Sequence, residues 1–247
     1  MSANHLALIA TTFVIWASAA IGQEYDWIIP KLTEAIKDAD EQSLARGSIE
    51  GQNYLAIQMD AGNQTVDGFK PVLVFARIKN DGSYDPFAVW KLPSLLGLNV
   101  AIKNNSIYVR QDTAHHGVYF SAYQFKLRRG SFQLVGIENQ SITPATYAGI
   151  MKNLELWEGT SANLSTAKAI VWAQSFDMDN PREYKKWKLA LQRHNKGLPA
   201  TEGKRETVSI RPIAPVELRQ FDPYTFREDF LCHAFDHNLR FHNHCKK

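Results

Sequence analysis

Cysteine is scarce: Cys232 and Cys245 are the only two in 247 residues. Two cysteines cannot build the multi-bridge framework of a small toxin or a multi-cysteine zinc array. A chain of this length needs neither, because it buries roughly 70–75% of its unfolded surface. An excess of one charge is also lacking, since 28 Lys+Arg against 25 Asp+Glu leave only +3. That is too little to argue for nucleic acid as a partner. The sequence holds no G-x-S-x-G elbow, H-E-x-x-H, P-loop or G-x-G-x-x-G, so common signatures of serine hydrolases, zinc proteases and nucleotide-binding enzymes are missing. No internal repeat is visible. Strand patterns do not alternate with helix patterns, which argues against a doubly wound nucleotide-binding fold.

Charge is absent from the start of the chain. No charged side chain precedes Glu24, and Leu6 to Gly22 is an almost unbroken run of apolar or small residues. Such a run is short for a spanning helix and near the upper limit for a signal-peptide core. Ala17-Ser18-Ala19 and Ala20-Ile21-Gly22 offer the small residues that a signal peptidase's narrow pocket requires. The usual Lys or Arg ahead of the core is missing, and no cysteine follows it, which excludes a lipoprotein anchor. The expectation is a cleaved export signal over 1–22, with an uncleaved anchor or a buried helix as alternatives. The mature chain, 23–247, is then one globular domain of the periplasm or the exterior, where Cys232 and Cys245 would pair.

What is present is patterned. Residues 23–60 carry eight acids and three bases, whereas residues 182–205 carry eight bases and two acids. After a short helix around Pro30 to Asp40, hydrophobicity takes a period of two. Val72–Ile78 and Tyr84–Trp90 flank an Asn80-Asp81-Gly82 turn, and Leu98, Val100 and Ile102 precede Asn104-Asn105, after which Ile107 and Val109 resume. Tyr119, Tyr123, Phe125 and Leu127 alternate with Gln124, Lys126 and Arg128 before Gly130, because successive strand residues face opposite sides. The fold class expected is α+β: an antiparallel β-meander over about 54–172, one curved sheet or sandwich-like, with a few peripheral helices. The part at about 180–247 is helical and contains the His and Cys residues. The best helix is 181–196, with Asn180 as N-cap, Pro181 at the first position, Glu183 completing a capping box, and Gly197 and Pro199 as stops.

The stretches Ala122–Gly136 and Asn163–Lys168, together with the Asp81-Gly82 hairpin of Ala76–Tyr84, resemble a group of poorly characterised exported bacterial β-sheet proteins. In these a strand, a Gly turn and an F-x-L-I/V-G strand precede an N-L-x-T-G-K strand start. The likeness covers about residues 50–172, and this chain has Ala167 where the second motif has Gly. The resemblance implies an envelope protein without established catalysis, some members acting as inhibitors or immunity factors.

Candidate chemistry concentrates at the end. Cys232, His233, His237, His242, His244 and Cys245 supply the N and S ligands zinc takes tetrahedrally, but their spacing matches no standard finger. In an oxidising compartment, a Cys232–Cys245 disulfide closing about 14 residues would contribute on the order of 3 kcal/mol. His115 and His116 follow Asp112 in an inter-strand loop, with a solvated turn as the plain reading. Asp60, Asn63 and Asp67 miss the EF-hand spacing, and Glu155 and Glu158 bracket Trp157 without a known separation. On the 181–196 helix, Tyr184, Trp187 and Leu191 form an apolar stripe, and Lys185, Lys186, Lys188 and Arg193 project elsewhere, with a solvated face as the plain reading and a basic face for an acidic partner or anionic lipid as the alternative. The leading function is thus an exported periplasmic interaction protein without catalysis or cofactor, an immunity or inhibitor protein binding an enzyme or toxin. The alternative is an envelope hydrolase or zinc-binding protein using His115/His116 or the tail.

Overall fold

Period-two hydrophobicity becomes strand where a two-residue turn can reverse the chain, and three such turns occur among the described residues of a computed structural model of the protein. The structure describes residues 25–39, 43–60, 71–92, 98–114, 118–144, 154–195 and 204–223. Glu50-Gly51, Asn104-Asn105 and Arg129-Gly130 all have positive φ at both positions, the left-handed pair whose twist matches that of the strands it joins. They close β1 (Leu44–Ile49) onto β2 (Gln52–Asp60), β5 (Leu98–Lys103) onto β6 (Ser106–Ala114), and β7 (Val118–Arg128) onto β8 (Ser131–Pro144). At Asn80-Asp81-Gly82, Asp81 Oδ1 accepts bonds from the Ser83 N–H and hydroxyl at 2.9 and 2.6 Å, joining β3 (Pro71–Ile78) to β4 (Tyr84–Lys91). The remaining strands are β9 (Leu154–Asn163), β10 (Lys168–Asp177) and β11 (Lys204–Ser209).

The antiparallel meander expected from the sequence is present, divided between two sheets. One has the order β1-β2-β3-β4 and the other β11-β10-β9-β8-β7-β6-β5. By internal contacts the chain forms two compact units. The first holds β1–β4, Asn99–Ile107 and Leu218–Phe221, and the second holds Tyr108–Glu217.

In the first unit, α1 (Ile29–Asp38) lays Leu32, with Ile28 ahead of it, on Leu55, Ile57 and Met59 of β2 and on Val72, Val74 and Ala76 of β3. The opposite sheet face is buried as well: Leu73 pairs with Trp90 and Phe75 with Ala88. Both faces of this sheet are therefore buried. An uninterrupted apolar run, Val72 to Ala76, is what a strand covered on both sides requires. Trp90 donates its indole N–H to the Leu218 carbonyl at 2.7 Å. Gly47 of β1 lies against Ile102, leaving no room for a side chain.

In the second unit, Tyr123 and Phe125 are buried on one face of β7, while Lys126 and Arg128 are exposed on the other, as the alternation predicts. A bulge at Val135 lets Phe125 pair with Leu134 after Gln124 pairs with Gly136. The long helix is α2 (Pro181–Asn195). Asn180 caps it, its Oδ1 accepting from the N–H groups of Arg182 and Glu183 at 3.0 and 3.5 Å. The reciprocal half of the expected capping box is replaced: the Asn180 N–H goes to the Asp177 carbonyl and the Glu183 carboxylate to Lys186. Among the described residues no helix is long and apolar enough to cross a membrane.

Candidate functional site

Strand register orders the side chains of one face of the second sheet into rows. Cross-strand partners run Thr207, Ile170, Ser161, Glu138 and Ala122 in one row. The adjacent row is Lys168, Asn163, Gly136 and Gln124. It continues to β6, where Gln124 Nε2 donates to the Tyr108 hydroxyl at 3.0 Å. These two rows line an open groove of about 440 Å³. Small residues make its floor: a Cβ on Gly136 would press against the Gln124 side chain, 3.2 Å from its Oε1. Ile170 projects with 42% of its surface exposed. Asn163 is committed to its own turn, its Oδ1 accepting from the N–H groups of Ser165 and Thr166, and Glu138 accepts from Gln140 Nε2 at 2.8 Å. The side chains are thus held in place before any ligand arrives, which lowers the entropy lost on binding.

The same face continues under α2. Trp172 pairs with Gly159, Gln174 with Trp157, and Phe176 with Glu155. Trp157, Trp172, Phe176 and Ile142 form a cluster with Ala190, against which Trp187 and Leu191 pack. Trp172 lies directly on Gly159, whose missing side chain makes room for the indole. Polar groups are caught in this apolar ground. Gln174 Oε1 is buried with no hydrogen-bond partner among the described residues. Glu155 Oε2 and Trp187 Nε1 are likewise buried without a well-formed hydrogen bond among the described residues. Burial pushes the Glu155 carboxyl above the ordinary range, and the nearby Trp187 indole N–H holds back part of that rise.

The carboxylates bracketing Trp157 are not a catalytic pair. Three residues apart on one strand, Glu155 and Glu158 point to opposite faces of the sheet. Glu158 is also raised by burial. The Asp112 carboxylate is held by Arg110 Nε at 3.1 and 3.0 Å, and that guanidinium lies 4.4 Å from the centre of the Phe120 ring. His115, His116, Asn63, Asp67, Cys232, His233, His237, His242, His244, Cys245 and the 1–22 segment lie outside the described residues. Among the described residues no cluster of three His, Cys, Asp or Glu could hold a metal.

The basic residues of α2 are described. Lys185, Lys186 and Lys188 are exposed and Arg193 is half-buried. Lys186 pairs with Glu183 at 3.1 Å, and Lys188 Nζ lies 4.6 Å from the centre of the Tyr184 ring, which stacks on Trp187. The groove residues escaped the sequence reading, which tracked alternation on β7 without carrying it across the neighbouring strands. The signal was available as matched parity: Ala122 and Gln124, Gly136 and Glu138, Ser161 and Asn163, Lys168 and Ile170. Compared with known proteins, the chain matches no family model, no curated protein and no solved structure.

Proposed function

We propose that this chain is an exported, periplasmic interaction protein that acts by binding an enzyme, in the manner of an immunity or inhibitor protein. Its groove on the second sheet would be the seat for a segment of that enzyme. The observation carrying this reading is the groove itself: about 440 Å³, open, floored by Ala122 and Gly136, and rimmed by hydroxyl, amide and exposed isoleucine side chains. A hydrogen-bonded sheet gives such a site little freedom to collapse. The charge-free run Leu6–Gly22 supports export.

The test uses the mature protein and the enzyme encoded beside its gene. The two should copurify and the enzyme should lose activity. The double substitution Ser161→Arg and Ile170→Arg alters exposed positions, so stability should change by less than about 0.5 kcal/mol at each site, while affinity falls at least tenfold. If no neighbouring gene product binds or is inhibited, the reading fails.

A further inference from the structure

We infer that the outward face of α2 is a second docking surface, one that takes an acidic polypeptide through a leucine set among cations. Trp187, Ala190 and Leu191 supply the helix's inward contacts, so the opposite side is not used to hold it on the sheet. At about 100° per residue, Arg182, Lys185, Lys186 and Arg193 fall within about 60° of Leu189 around the helix axis. Leu189 is the most exposed large apolar side chain among the described residues, at 54%. Glu183 is the only acid in α2. It lies toward the packed side and bonds to Lys186, so Lys186 is an ion-paired cation at the rim of a face whose other charges, Arg182, Lys185 and the half-buried Arg193, are all positive. Lys188 is turned aside, over the Tyr184 ring.

The position of Arg182 supports a role outside the fold. The first turn of a helix carries the positive end of its dipole, where Lys and Arg are unfavourable. Arg182 occupies that turn, where helix stability alone would favour an acid. Charge complementarity identifies the occupant as an acidic polypeptide surface with an apolar side chain to meet Leu189. Such surfaces steer association through long-range attraction and take specificity from the central apolar contact. The inference deepens the reading above, because it gives the chemistry of the partner.

The full chain should bind a random 4:1 glutamate–tyrosine copolymer, used as the probe, with an affinity that falls steeply as salt is raised. Lys185→Glu with Arg193→Glu should weaken binding at least tenfold. Leu189→Asp should weaken it as well, and Arg182→Glu should weaken it while leaving the unfolding midpoint unchanged or higher. Vesicles of phosphatidylglycerol and phosphatidylcholine at 1:3 should bind more weakly than the copolymer. Absence of copolymer binding at low salt, equal binding by the charge-reversed variant, or tighter binding to the vesicles would each overturn the inference. Copolymer binding without copurification of any neighbouring enzyme would sink the earlier reading and leave this one standing. Copurification without copolymer binding would do the reverse.

Discussion

The two helices rest on different ground. Beneath α1 lie Leu55, Ile57, Met59, Val72, Val74 and Ala76, all aliphatic side chains and nearly all fully buried. Beneath α2 lie Trp157, Trp172 and Phe176, with the carboxyl of Glu155 and the amide of Gln174 caught among them. Aliphatic burial is non-directional and indifferent to pH, and its contribution grows with the area removed from water. A ground of large rings and polar atoms depends on shape and protonation. The first helix is seated for permanence, whereas the second sits where one atom or one proton changes its footing.

The largest effect should come from the aliphatic side. Leu55 is fully buried in the α1 cluster, and Leu55→Ala leaves a cavity that closely packed neighbours fill poorly. The expected loss is about 2–5 kcal/mol, read by urea unfolding and the same at pH 5 and pH 8. A loss below about 1 kcal/mol would show that the α1 ground is loosely packed and break the comparison. On the aromatic side, Gly159→Ala sets two effects against each other. Alanine in place of glycine within a strand gains about 0.5–1 kcal/mol through a stiffer unfolded chain. Its methyl, however, would fall on Cε2 and Cζ2 of Trp172, and overpacking a tight contact costs about 1–3 kcal/mol. The clash should win. The variant is expected to lose stability and to show altered tryptophan emission from the α2 cluster. A stabilised variant would mean that Trp172 moves freely.

The contrast between the helices was partly legible in the sequence. Strand periodicity, the Asn80-Asp81-Gly82 turn and the Asn180-Pro181 helix start are local signals, written within a few residues, and the structure has all three. Less visible was the division into two sheets. Nothing between Trp90 and Leu98 announces a change of partner, because pairing is a long-range choice that period-two patterns leave open. β1 escaped notice because Leu44–Ile49 carries Arg46, Gly47 and Ser48 in place of a clean alternation. Gly47 is there for the close approach of Ile102, a contact 55 residues away in sequence. The turn at Asn163–Lys168 is instructive in another way. Ala167 has a φ of 50°, the left-handed conformation glycine adopts without strain. The groove required register between five strands, and Glu155 became informative only when Trp187 was seen above it.

The smallest expected effect bears most directly on the α2 ground. Burial raises the Glu155 carboxyl in the folded chain above its ordinary value of 4.5. A carboxyl raised on folding contributes its stability in full below the unfolded value, where it is protonated in both states. That contribution is lost as pH rises through the folded value, because the buried site must then accept a charge. Glu155→Gln keeps the shape and removes the titration. The variant should therefore be more stable than the parent at pH 7–8, by less than either preceding effect, since Glu155 is partly exposed and its charge is screened. The difference should shrink as pH falls toward 4. Glu158, raised by its own burial on the opposite face, titrates in both proteins and cancels when their unfolding curves are subtracted. The α1 ground supplies the control: Leu55→Ala should shift both curves alike at every pH. If Glu155→Gln instead weakens the protein at pH 7, the Trp187 indole N–H holds a charged carboxylate there. The ground beneath α2 would then be anchored by a charge-assisted hydrogen bond, and its pH dependence would run the other way.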